Sequence, residues 1–152
     1  MAARRTDGAE RLIAAPAGVL FSCWTDPAML VRWLPPRGMT GRVEVLDLRP
    51  GGPFRIVLAY DDATDGKSGD CSDVVAVQFV AVDPPRHLAF VSRFRSDDPD
   101  FQGEMRMDWM FDPEAGGTRV RITAQDVPPG ISAEDHMAGM QSSLAQLAAL
   151  VE

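Results

Sequence analysis

The chain is sparing with groups that make and break bonds: two histidines, two cysteines and one tyrosine stand among 152 residues. His136 sits in the first turn of a predicted terminal helix, from which an imidazole could overhang an interior space as a general base. The plainer reading is an exposed histidine near a helix start. Glu104, Arg106 and Asp108 would form an acid/base set if their strand turned them inward. They alternate with Met105, Met107 and Trp109, however, and that alternation places the charged three on the wet face. His87 follows Pro84-Pro85-Arg86 at a strand start, and neither histidine belongs to an HExxH spacing, so no zinc site is expected. No residue is assigned a catalytic role, and His136 and Glu104 stand as the weak candidates.

Metal, phosphate and thiol chemistry are no better supported. Asp61, Asp65 and Gly66 match positions one, five and six of a calcium loop, but Ala63 and Ser72 occupy ligand positions three and twelve. A solvated hairpin accounts for that segment. Pro50-Gly51-Gly52-Pro53 is a turn with no following helix to cradle phosphate. Cys23 and Cys71 lack any CxxC or His/Cys ligand spacing and read as reduced thiols of a cytoplasmic protein. No metal and no cofactor is expected.

The elements that must position these groups follow from periodicity. A strand over Ala9–Ile13 leads through Pro16 into a short helix whose apolar face is Val19, Leu20, Cys23 and Trp24. Asp26 caps a second short helix with Pro27 at its first position, closed by Pro35-Pro36. The period then changes to two. Strands are expected at Gly41–Leu48, Phe54–Tyr60, Val74–Val82, His87–Arg95, around 104–111 and at Thr118–Ala124, separated by turn-rich segments. Val74–Val82 is apolar on both faces and is expected to be covered on both sides.

Ser132, with Asp135 three residues on, starts a helix in which Met137, Met140, Leu144, Leu147 and Val151 share one stripe. Burying five such side chains, at about 1.5–3 kcal/mol each, is too large a contribution for a loose tail. The fold class is therefore α+β. It is a curved antiparallel sheet of about seven strands, with two short helices after the first strand and one long C-terminal helix across the concave face. A single helix laid on a curled sheet leaves a gap, and that gap is the candidate pocket. The chain reads as one domain over 1–152, with residues 1–8 as a loose N-terminal arm.

The net charge of −7 is the wrong sign for nucleic acid or an anionic membrane surface. No apolar run spans a bilayer, and the N-terminus lacks a signal-peptide core. Neither nucleic-acid binding nor membrane insertion is expected, and a homodimer remains open. Eight methionines point to adaptable apolar interior space.

Several local signatures recur in order: Ala15-Pro16, Thr25-Asp26-Pro27 with Leu30 and Trp33, and Pro50-Gly51-Gly52-Pro53-Phe54-Arg55. Gly117-Thr118-Arg119-Val120 and Gly139-Met140-Gln141-Ser142-Ser143-Leu144-Ala145-Gln146-Leu147 complete the set. With these the chain resembles the START-like (SRPBCC) superfamily. Its helix-grip fold is that of polyketide cyclases, the birch pollen allergen and steroidogenic lipid carriers. Within that superfamily the chain is most similar to the branch named after the activator of the heat-shock-90 ATPase. The resemblance spans roughly residues 9–152 and implies a fold and a cavity more than an activity. Two departures from the pattern bear on the cavity: Trp33-Leu34-Pro35-Pro36 where Trp-Trp-Gly-Pro is frequent, and Met140 where tryptophan is frequent.

The expected lining comprises Phe54, Ile56, Leu58, Phe90, Phe94 and Trp33 together with Met105, Met107 and Trp109, facing Met137, Met140 and Leu144. Tyr60 and Ser92 are expected to add polar contacts. The leading expectation is a module holding a small hydrophobic or aromatic molecule, a lipid or polyketide by resemblance, between helix and sheet. A cyclase or aromatase using the same pocket is the first alternative. A co-chaperone-like adaptor, using the outer sheet face or the Trp33–Arg37 segment, is the second.

Overall fold

The computed structural model describes residues 5–36, 38–60, 72–94, 99 and 102–152, and at 72, 73 and 94 the backbone only. The chain runs β1 (Arg5–Ile13), α1 (Ala17–Thr25), α2 (Pro27–Trp33), β2 (Met39–Leu46) and β3 (Pro53–Tyr60). It continues through β4 (Ser72–Asp83), β5 (His87–Phe94), β6 (Gly103–Glu114), β7 (Gly117–Val127) and α3 (Ala133–Val151). The strands form one seven-stranded sheet in the order β1-β7-β6-β5-β4-β3-β2, every neighbour antiparallel. Strands β2 to β7 thus form a meander, as their short connections require, and β1 closes the far edge beside β7.

Local chemistry sets the breaks. The Asp26 carboxylate accepts from the Ala28 N–H at 3.0 Å, and Pro27 opens α2 where no N–H is needed. At the start of α3 the Ser132 hydroxyl oxygen accepts from the Asp135 N–H at 3.2 Å. Gly117 is where β7 passes the end of β1: a Cβ there would lie 2.0 Å from the Ile13 carbonyl oxygen, so no larger residue fits. The Gly51–Gly52 turn is pinned to β4, Gly51 donating to the Phe79 carbonyl at 2.7 Å and Phe79 donating to Gly52 at 2.8 Å.

Three expectations change. Strand β1 begins at Arg5, so residues 5–8 are paired strand rather than part of an arm; their partners on β7 supply the hydrogen bonds that a polar stretch lacks by itself. In α1, Phe21 is buried while Val19 is 44% exposed, because the helix turns its 17–20–21–24 side to the sheet. Strand β4 is not covered on both sides. Val74 is 50% exposed and Val80 38%, since an antiparallel sheet needs cover on one face only.

The core lies on the concave side. Trp24 of α1 meets Trp33, Trp109 and Phe54 edge-on, with ring centroids 5.4, 5.3 and 6.0 Å apart, the arrangement that aromatic quadrupoles favour. Helix α3 buries Met140, Leu144, Leu147 and Ala148. It runs nearest the edge strand β1 and the α1–α2 pair, where the Gln146 side chain donates to the Trp33 and Pro35 carbonyls. Its distance from β3–β5 across the curl of the sheet opens the space described next.

Candidate functional site

A cavity of about 390 Å³ lies between the first half of α3 and the concave face of the sheet. Its floor is Trp24, Phe54, Ile56 and Trp109, all at least 97% buried. Val77, Phe90, Met107 and Ile122 form the walls. The exposed Pro36, Val75, Asp135 and Gly139 mark the mouth, with Leu34 and Leu58 just inside. From α3 come His136, Gly139, Met140 and Ser143, spaced three and four apart so that one helical stripe looks inward. The size falls within the range of small-molecule sites, about 300–1,000 Å³.

Of the residues expected in the lining, Phe54, Ile56, Leu58, Phe90, Ser92, Met107, Trp109 and Met140 border this cavity. Others do not. Trp33 is 1% exposed, packed against Trp24 and Trp109 with its indole N–H donating to the Cys23 carbonyl at 3.1 Å, a layer behind the floor. Leu144 is fully buried in the packed seam. Met105 shares the inward face of β6 but lies further along it, in a small cluster with Ala124, Val127 and Ile131. Tyr60 ends β3 and is 47% exposed, beyond the rim. Met137 is 48% exposed and does not border the cavity. The Phe94 side chain lies outside the described residues, as do Cys71 and the acidic segment checked for calcium.

The cavity has one organised polar end. The Asp7 carboxylate, 5% exposed, accepts from His136 Nδ1 at 2.8 Å and from Arg5 at 2.7 and 3.0 Å. Arg5 also donates to the Ile131 carbonyl, tying the approach to α3 onto β1. The Arg5 hydrogen bond, opposed by burial and reinforced by His136, holds the Asp7 carboxyl below its ordinary range. A carboxylate only accepts, so His136 donates its Nδ1 proton to Asp7, and Nε2 is the ring nitrogen left without a partner among the described residues. Sequence reasoning missed Asp7 altogether, because its partner lies 129 residues away.

A second trio of the same composition lies on the outer face. Asp108 accepts from His87 Nε2 at 2.7 Å and from Arg106 at 2.9 and 3.2 Å. Burial raises the Asp108 pKa, and the hydrogen bonds from Arg106 and His87 outweigh it, leaving it lowered. Glu104 is on the same face, exposed and paired with Arg93 at 2.9 Å, so it does not reach the cavity. That face also holds a depression of about 480 Å³ with Arg55, Gln78 and Arg93 in its walls.

Among the described residues no group of three or more acidic, histidine or cysteine side chains could hold a metal ion. Cys23 is a free, buried thiol whose S–H reaches the Val19 carbonyl at 3.4 Å, and burial pushes its pKa up, away from the reactive thiolate. Among the described residues no helix is long and apolar enough to cross a membrane.

Residues 14–152 match the family model described as activator of Hsp90 ATPase homolog 1-like protein. Among solved structures, a protein from Chromobacterium violaceum is 29% identical with a TM-score of 0.81, covering 97% of this chain and 96% of that one. The AHSA1-like protein from Aeromonas hydrophila is 25% identical with a TM-score of 0.73, covering 95% and 90%. A protein from Nitrosomonas europaea shares the fold at 24% identity and a TM-score of 0.74, covering 95% and 92%. No curated protein matches the chain.

Proposed function

We propose, from the premise that this chain belongs to the activator of Hsp90 ATPase homolog 1-like family, that it holds a small apolar or aromatic molecule between α3 and the sheet. The observation that carries this reading is the cavity itself, whose floor and walls are aromatic and aliphatic side chains. Removing about 200 Å² of ligand apolar surface from water is worth about 5 kcal/mol. That corresponds to a dissociation constant on the order of 0.1–1 mM before orienting contacts are added. The occupant is then a molecule of two or three fused rings or an equivalent aliphatic body.

Calorimetric titration with naphthalene tests the reading. Uptake by the wild-type protein is expected, together with its loss in Met107→Trp, which fills the space from the β6 wall. Overpacking at that position is expected to lower stability by no more than about 1–3 kcal/mol. A wild-type protein that takes up no naphthalene would refute the reading.

A cyclase- or aromatase-type reaction in the same space is favoured by one observation: His136 borders the cavity with its ring oriented by a carboxylate. That reading expects His136→Phe to abolish turnover of an enolisable aromatic ketone while naphthalene still binds.

A further inference from the structure

We propose that His136 is the polar anchor of this cavity and that the molecule it selects is a neutral phenol, whose hydroxyl donates to Nε2 while its ring enters between Trp24, Phe54, Phe90 and Trp109. The proposal deepens, and rests on, the reading of the cavity as a binding site. Three observations converge on it. First, the carboxylate of Asp7 fixes the imidazole through Nδ1, so in the neutral ring the nitrogen left over, Nε2, is an acceptor held in place before any ligand arrives. Second, Nε2 has no partner among the described residues, yet it has not been sealed away. Among the described residues the side-chain nitrogens that are both buried and unpartnered are those of Trp24 and Trp109, both in the cavity floor. Third, the charges around His136 exclude other head groups. Among the described residues no arginine or lysine borders the cavity; Arg5 is spent on Asp7 and Ile131, and Asp135 stands at the mouth. A carboxylate or phosphate head would meet Asp135 at the mouth with no unpaired arginine or lysine among the described lining residues to offset it.

Gly139 fits the same picture. It lies one turn beyond His136 in mid-helix, where glycine disfavours the helix, and a Cβ there would meet nothing within 4 Å. Packing therefore does not demand glycine at this position. Its effect is to leave the mouth of the cavity, one helical turn from His136, open to a flat ring.

The test compares 2-naphthol, 2-methylnaphthalene and 2-naphthoate, three bodies of the same shape, in calorimetric titrations of the full chain. The wild-type protein is expected to bind 2-naphthol about tenfold more tightly than 2-methylnaphthalene, the factor one retained hydrogen bond supplies, and to bind 2-naphthoate more weakly than either. In His136→Phe the preference for 2-naphthol over 2-methylnaphthalene is expected to vanish. A histidine-selective nitrogen-15 spectrum of the wild-type protein gives a second readout that needs no variant. His136 is expected to show protonated Nδ1 and to move its Nε2 resonance on adding 2-naphthol but not 2-methylnaphthalene. His87, bonded to Asp108 through Nε2, is expected to show the opposite tautomer and to stay still. Equal wild-type affinities, or a His136 resonance that ignores 2-naphthol, would overturn the assignment and leave the cavity reading intact. Failure of all three compounds to bind would overturn both.

Discussion

The two halves of α3 are held to the rest of the molecule by different forces. From Leu144 onward the helix is attached by apolar burial: Leu144 and Leu147 are wholly buried and Ala148 nearly so, against the floor that α1 and α2 complete. Before Leu144 it borders a void, and apart from Met140 it buries nothing large. What fastens that half is polar: the Ser132 cap, the His136–Asp7 bond, and Arg5 reaching both Asp7 and the Ile131 carbonyl. A cavity beside a helix removes the contacts that would dock it, and here hydrogen bonds to the edge strand take over that task. The polar cluster thus holds the helix and, through His136, also borders the space.

The largest effect is expected in the packed half. Leu144→Ala should cost about 2–5 kcal/mol in a denaturant titration, the range for a leucine whose cavity cannot collapse. A loss near zero would erase the distinction between the halves. Next, Asp7→Ala should cost about 1–3 kcal/mol by leaving Arg5 and His136 short of an acceptor. Amide exchange should quicken selectively over residues 133–140. Asp108→Ala, which removes the matching carboxylate of the outer trio, should cost less and leave α3 exchange unchanged, because both its partners stay near water.

Acid should sharpen the same contrast. The Asp7 pKa is lowered on folding, so its contribution to stability is complete above the ordinary carboxyl value and is lost as pH falls through the lower, folded one. Wild-type protein should therefore lose stability below about pH 4, and Asp7→Asn should flatten part of that fall in thermal melts. The smallest effect runs the other way. Gly139→Ala should stabilise by about 0.5–1 kcal/mol, since the methyl group enters open space and helix propensity improves.

Much of this architecture could be read from periodicity, because each strand and helix states its own repeat. The inward parity of Met107, Trp109 and Phe111 and the stripe through Met140, Leu144 and Leu147 follow from intervals of two and of three or four. Parity gives a direction, however, and not a depth. It cannot separate Met107 in the wall from Met105, which lies beneath Ile131, or Met140 from the exposed Met137. Strand β1 was half hidden because Arg5-Thr6-Asp7-Gly8 has no apolar repeat; partners far along the chain make it a strand. Trp24 shows in the sequence as part of a helix face, with nothing to mark its place in the floor. Pro36 shows in the sequence only as a helix stop and a departure from the family pattern, and Gly139 only as a glycine inside an alanine-rich helix with no turn near it. His136 was visible as a candidate, and only its carboxylate partner was not.

The clustering of the indoles has an optical consequence. The three tryptophans of this chain are Trp24, Trp33 and Trp109, every pair within 5.3–5.5 Å by ring centroids, and two of them form the cavity floor. All indole emission therefore originates at one place, and excitation is shared across the trio before it is lost. The single tyrosine, Tyr60, is solvent-facing and remains dark under indole-selective light. An occupant should thus quench or recolour the intrinsic fluorescence of unlabelled protein, and the same spectrum should stay constant for anything that docks on the outer face.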